Sequence, residues 1–443
     1  MATSKRSFYV VLCAVAVLIM GVRVKSFADR LFQVAGIWRI ISPTLVSKGD
    51  GFVYIPDTIQ CEDLHYHERS GLIFTACEDN RQTRLSWFPP LGIFDDPVLG
   101  QESQGSIHIV NPNTFTSTRL DMENFNGPFS THGIDVITDP QDAQAVYIFA
   151  INHAPHMRYL SDFAAGKPTK HLQKAQSVVE LFHHKLWSTS VRHIRTIQHP
   201  LIATPNDVFA SSPKSFFVTN DHHYREGPMR LVEDMYMDAR WTNTIHVAVT
   251  DMTPASGAPQ DGVEASVALD NIHNNNGLGH GQTPDEILIT DTMGGKLLIG
   301  KISANNQIRI VDSFDAPATI DNPSYFVDPY GDKMGIVLPS IGRLLELSSQ
   351  MQDPQHKISS LVMMVSPERN TTSNVISSSS TPRTTSQWHT DMLFEDDGSR
   401  LSTASGAVLI PIPPAKTVGN KRQAWLFATG FMSHSMAAVR VGL

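Results

Sequence analysis

Short apolar runs, broken every few residues by Gly, Pro, Asn or Asp, constrain this chain more than any other feature. "SIHIVNP" starts at Ser106, "AVYIFAINH" at Ala145, "SFFVTND" at Ser215 and "EILITDT" at Glu286. "KLLIGKI" follows at Lys296, "GAVLIPI" at Gly406 and "AWLFATGF" at Ala424. Runs this short, rich in β-branched and aromatic residues and bounded by turn formers, read as strands. Few stretches keep a helical period for long; Phe163–Leu186 and Arg343–Met351 are the best of them. Many short strands imply an all-β sandwich, barrel or propeller. About 410 residues beyond the leader is large for one sandwich and divides into six blades of roughly 65–70. No strict repeat appears, so composition alone does not choose among the three. Residues 366–388 are Ser/Thr-rich and read as a flexible insertion.

The net charge of −8 and the lack of a basic stripe argue against a nucleic-acid partner. An acidic chain rich in Asp and Asn suits a hard cation such as calcium, which binds through oxygen. At the N-terminus, Lys5 and Arg6 precede the apolar run Phe8–Val22, and Arg23 and Lys25 follow it. This pattern predicts a secretory leader over 1–30, either cleaved or kept as a signal-anchor helix, with the folded domain over 31–443. Phe8–Val22 is then the part that would meet a membrane, with the domain on the lumenal or extracellular side. A buried core helix is the bland alternative.

Cys13 lies in the leader, leaving Cys61 and Cys77. A hairpin turning through "HERSG" would set Asp63 opposite Thr75, His65 opposite Ile73 and Cys61 opposite Cys77. A cross-strand disulfide is reasonable there, and two buried thiols are the alternative. Asn370, in "NTT", is a glycosylation-type sequon and suits the same compartment.

Oxygen-bearing and imidazole side chains gather beside several of the strands. "STHGIDVI" carries His132 and "YIFAINHAPH" carries His153, 21 residues apart and each at one end of an apolar run. Neighbouring strands could join them as a proton relay, although spacing alone favours histidines that merely cap strands. Glu62-Asp63 and Asn206-Asp207 are adjacent pairs on extended chain, where successive side chains point to opposite faces. Such pairs would serve two metal positions stacked in depth. Glu62 and Asp321 would balance one divalent cation, Asp63 and Asp207 a second, with amide oxygens from Asn206, Asn276 and Asn322 completing a shell. No Gly-x-Ser-x-Gly elbow is present, and the donor types do not suit zinc.

An ordered series of motifs resembles the serum paraoxonase/arylesterase family. It comprises "EDLHY" with "SGLIF", "HGIDV", "AINH" followed by "VVELF", "PNDVFA" with "FFVTNDHHY", "NNNGL", "DNPSYFVDPYGD", "FEDDGSRLSTASGAVL" and "LFATGFMSHSMAAVRV". The resemblance runs from about residue 35 to the end and implies a six-bladed β-propeller with a central calcium-binding tunnel. It implies a calcium-dependent hydrolase of lactones and aryl esters. A catalytic calcium would be held by Glu62, Asn206, Asn276, Asp321 and Asn322. A structural calcium would be held by Asp63, Asp207 and the backbone carbonyl of Ile134. His132 would be the general base on water and His153 its relay partner. The chain departs from mammalian members in lacking a cysteine beyond Cys77, a histidine in "VLPSIG" (337–342), and their bulky pocket residues around Asn271–Asn275. Two further functional readings stand beside hydrolysis. One is a pathway-specific lactone-forming or lactone-opening enzyme; the other is a calcium-stabilised, membrane-tethered scaffold.

Overall fold

A computed structural model describes residues 25–47, 49, 51–347, 357–368 and 387–443. The apolar leader, Cys13, Asn370 and residues 369–386 of the Ser/Thr-rich stretch lie outside the described residues.

Six sheets of four or five mainly antiparallel strands build the described residues, with one two-stranded sheet beside them, so the protein is a six-bladed β-propeller. The innermost strands are, in chain order, Cys61–His67, Thr131–Asp139, Pro205–Ser212, Asn275–His280, Ser324–Val327 and Ala404–Ile412. We number the blades 1 to 6 in that order. Blade 6 takes its fourth strand from the other end of the chain. Phe52–Ile55 pairs antiparallel with Met436–Gly442, Ile55 facing Met436 and Phe52 facing Val439. Hydrogen bonds between the two chain ends thus close the ring.

Both faces of each blade are covered by neighbouring blades, which explains runs of consecutive apolar residues rather than strict alternation. The strand Ser215–Asn220 of blade 3 shows how this works. Phe216 and Val218 enter the cluster shared with blade 2, beside Phe149 and Leu181, while Phe217 points the opposite way, to Leu278 and Ile287 of blade 4. Similar clusters fill the other four blade interfaces.

Two expectations change. The hairpin does pair Cys61 with Cys77, but beyond them Asp63 faces Ala76 and His65 faces Phe74, one residue away from a regular register. A β-bulge at Glu62 sets two residues against one on the partner strand and shifts everything after it. The supposed helix over Phe163–Leu186 also fails. The helix is Met157–Ala164, and Ala175–Lys185 is the third strand of blade 2. "VVELF" buries side chains on both faces, which a helical count mistakes for its own period. Residues 25–34 are helical and lie against blade 4, where Arg30 donates to the carbonyls of Gly294, Gly295 and Ala316. No helix among the described residues is long and apolar enough to cross a membrane.

Candidate active site

The bulge at Glu62 recurs in the inner strands of other blades. Register shifts fall between Thr131 and Ile134, between Pro205 and Val208, between Asn275 and Leu278, and between Ala404 and Gly406. In blade 5 the strand has not yet begun at this level, and Asn322 instead bridges in parallel to Gly406. A bulge bends the strand and re-aims its side chains. Here the re-aimed side chains are Glu62, His132, Asn206 and Asn276, which with Asp321 and Asn322 ring the channel axis. Glycines at two of the bulges let the backbones approach. A Cβ on Gly133 would lie 2.6 Å from the carbonyl of Asn206, and one on Gly277 would lie 2.6 Å from Asn322 Oδ1.

Around this ring, oxygens lack partners. Glu62 Oε2, Asn206 Oδ1, Asn276 Oδ1, Asp321 Oδ1 and Asn322 Oδ1 are all buried without a hydrogen-bond partner in the protein. The companion atoms are engaged: Asn322 Nδ2 donates to Glu62 Oε1 at 3.0 Å, and Asn206 Nδ2 reaches Asp221 Oδ2 at 3.4 Å. Leaving a buried acceptor unsatisfied costs about 1–3 kcal/mol. Five at one place are explained by an electropositive ligand, and two carboxylate plus three amide oxygens fit the coordination preference of calcium. Electrostatics point the same way. Burial first, then the charges of Asp321 and Asp63, push the Glu62 carboxyl well above the usual range. Asp321 is raised likewise by burial and by Asp63 and Asp221.

One level deeper, Asp63 and Asp207 are both fully buried. Asp63 Oδ2 accepts from the Ile134 N–H at 3.2 Å, and Asp207 Oδ2 accepts from the Leu278 N–H at 2.6 Å. Burial and the charge of Asp63 raise the Asp207 carboxyl well above its ordinary range. Two buried carboxylates that repel each other fit a second cation, with these amide bonds orienting them. Asp63 also lines a wide cavity, together with His65, His280, Asn322 and Tyr325.

The two histidines meet. His132 Nδ1 lies 3.1 Å from His153 Nε2, and His153 Nδ1 lies 2.8 Å from Ser177 Oγ. His132 Nε2 faces the ring of oxygens, 3.9 Å from Glu62 Oε1. Phe88 packs edge-on against His132 at 5.3 Å, and Trp87 Nε1 donates to the His153 carbonyl at 2.7 Å. Desolvation lowers both rings, assisted at His132 by His153; His153 falls to about 3. Both are therefore neutral near pH 7, the state in which Nε2 of His132 can accept a proton. Arg84, fully buried, donates to the carbonyls of Thr131 and Gln60, tying the segments before His132 and Glu62 together.

Ser177 and Arg84 were not singled out from sequence. Ser177 sits just before the quoted "VVELF", but one serine in a strand carries no signal of its own. Arg84 lies in a six-residue helix, Arg81–Ser86, with no motif around it. Asp221 does stand inside the quoted "FFVTNDHHY" and was legible as part of it.

A six-bladed ring with an oxygen-lined axis and a buried histidine pair defines a propeller whose candidate site gathers around the bulged ends of its inner strands. Within that class the chain belongs to the arylesterase family, which it matches over residues 100–408. It is 34% identical over 120 residues to serum paraoxonase/arylesterase 2 of Gallus gallus, covering 27% of this chain and 28% of that relative. It is 25% identical over 214 residues to serum paraoxonase/arylesterase 1 of Homo sapiens, covering 48% and 49%. It is 27% identical over 153 residues to serum paraoxonase/lactonase 3 of Oryctolagus cuniculus, covering 34% and 37%. The matched segments thus span about half the length of these relatives or less. A solved luciferin-regenerating enzyme aligns over 89% of the chain at 11% identity and a TM-score of 0.43, too distant to bear on the site.

Proposed function

We propose that this protein is a calcium-dependent hydrolase of lactones and aryl esters. The observation that carries this reading is the set of five unpartnered oxygens facing the Nε2 side of a hydrogen-bonded histidine pair. Glu62, Asn206, Asn276, Asp321 and Asn322 would hold the catalytic calcium; Asp63, Asp207 and the Ile134 carbonyl would hold a structural one. Bound calcium supplies Lewis acidity for a carbonyl oxygen and charge to stabilise an oxyanion.

The residues of the chain do the proton chemistry. With both rings as Nδ1–H tautomers, His132 Nε2 accepts a proton from attacking water. His132 Nδ1–H donates to His153 Nε2, and His153 Nδ1–H donates to Ser177 Oγ. The proton leaves along that line, toward the pocket that His153, Ser177 and Asp221 share. Phe88 and Trp87 fix the rings and exclude bulk water. General-base assistance of this kind contributes about 10²–10⁴-fold.

In this reading residues 1–30 are a secretory leader or anchor, Phe8–Val22 is the segment that meets a membrane, and the propeller over 31–443 faces the lumen or the outside. A relative named for serum and an internal disulfide support that placement, in which Asn370 would carry glycan. Lactones, aryl acetates and phosphotriesters, assayed with and without EGTA, test the activity. Calcium-dependent turnover of a lactone or aryl ester is expected; full activity after exhaustive chelation would overturn the reading.

A further inference from the structure

The third strand of blade 1, Ser106–Asn111, holds a histidine with no role in the chemistry above. His108 is wholly buried, and neither ring nitrogen has a hydrogen-bond partner. Its Nε2 lies 3.6 Å from Asp79 Oδ1. Ser106 faces Cys77 across the sheet, and His108 is two residues further on, so all three point to one face. Cys77 faces Cys61 and is bonded to it. The Cys77 sulfur, a ring nitrogen of His108 and a carboxylate oxygen of Asp79 all lie within 4.8 Å of one another. Asp79 Oδ2 is engaged by Arg119, which leaves Oδ1 turned toward the histidine.

We propose that opening the Cys61–Cys77 bond creates a tetrahedral site for a zinc-type divalent cation, with Cys61, Cys77, Asp79 and His108 as its ligands. Two sulfurs, one imidazole and one carboxylate are donors that zinc accepts; bonds of about 2.0–2.3 Å need Cys77, Asp79 and His108 to close in modestly while the freed Cys61 sulfur swings away from Cys77 to the fourth position. The chemistry balances. A dithiol reductant supplies two electrons and two protons; the S–S bond breaks, two S–H bonds form, and the dithiol closes to its own disulfide. Binding of the cation then releases the two thiol protons. Arg119 stays on the outer oxygen of Asp79, orienting it and offsetting the excess negative charge of the site. In the oxidised chain the sulfurs are spent on each other and no such ion binds. The strand that carries Glu62 is therefore held to its neighbour in both redox states, by a covalent bond in one and by a metal in the other.

Cobalt(II) is the probe, titrated into the calcium-saturated full chain in a Cys13→Ser background, so that the third cysteine contributes no thiolate. A phosphine is the reductant, because a dithiol would itself bind cobalt. The reduced protein should bind one cobalt ion with a thiolate charge-transfer band and tetrahedral ligand-field bands, and the oxidised protein should show neither. His108→Ala should weaken binding ten-fold or more. Should reduction itself open the fold, Cys61→Ser presents Cys77, Asp79 and His108 without any reductant and should give a weaker charge-transfer band. Absence of that band from both the reduced chain and Cys61→Ser would overturn the proposal. So would a band in the reduced chain that His108→Ala leaves unchanged, since that is binding by the cysteines alone. Neither result depends on whether the axial site hydrolyses esters.

Discussion

At the residue scale, the proposed base is His132, and its burial sets what should be measured. His132→Gln keeps size and some hydrogen bonding but removes basicity, so kcat for a lactone should fall by about 10²-fold or more. Calcium content and Tm should stay near wild type, and a variant that keeps most of its rate would remove His132 from the mechanism. His153→Gln should cost less, because water can replace a relay. Burial and His153 lower the His132 pKa, so the neutral form persists below the usual 6.5 and the acid limb of the rate profile should lie under that value. A limb at or above 6.5 would mean another group titrates. A different histidine sets the pH dependence of stability. His222 Nδ1 lies 2.9 Å from Asp221 as an ion pair and Nε2 hydrogen-bonds Asp234 at 2.7 Å, and although burial lowers it, Asp221 lifts it to about 9. A pKa raised on folding stabilises fully below the unfolded value and is lost as pH climbs through the folded one. His222→Gln should therefore destabilise strongly at pH 6 and far less at pH 10, as read by urea denaturation. Equal losses at both would show that packing, not charge, is what His222 supplies.

At the element scale, two-faced burial makes single core residues costly. Phe217 of blade 3 fills the interface with blade 4, so Phe217→Ala should lose about 3–5 kcal/mol in chemical denaturation. A loss under 1 kcal/mol would mean that interface is loosely packed. The same two-faced burial decided what could be read in the chain. Strands bounded by turn residues were visible because their apolar composition is local, and the Cys61–Cys77 pairing came out as expected because the bulge at Glu62 offsets a one-residue difference in the turn register. The histidine pair was visible through an ordered series of motifs rather than spacing, and the oxygen set through the adjacent Glu62-Asp63 and Asn206-Asp207 pairs as well as those motifs. The bulges were not visible. Nothing in "CEDLHYH" says that Glu62 is the extra residue, since a bulge depends on the partner strand as much as on its own. The Phe163–Leu186 stretch misled for a related reason, because strand and helix periods are indistinguishable when both faces are apolar. Arg84 and His108 are roles assigned by three-dimensional neighbours, which no local pattern announces.

At the scale of the whole molecule, ring closure and the axial site depend on each other. Glu62, His132, Asn206, Asn276, Asp321 and Asn322 bring blades 1 to 5 to the axis, and blade 6, completed by Phe52–Ile55, closes the ring, so an ion held there would join elements far apart in the chain. Metal that binds only the folded state stabilises it, by about 2.7 kcal/mol at a hundred times Kd. Chelation should lower Tm as well as activity, and Asp207→Ala should harm Tm and yield more than Asn322→Ala, which should mainly harm turnover. The opposite ranking would exchange the two metal sites. The five inner-strand bulges also carry a consequence for how this protein tolerates change. Each one acts as a change of parity: the residues before it count odd where those after it count even. Both faces of each blade pack on a neighbour, so both parities serve the blade interfaces, and the bulge is what re-aims side chains beyond it. A substitution above the bulge can therefore alter the chemistry without disturbing which side chains face the neighbouring blades. A one-residue deletion at Gly133 or Gly277 would restore an unbroken count and turn the whole upper segment inside out.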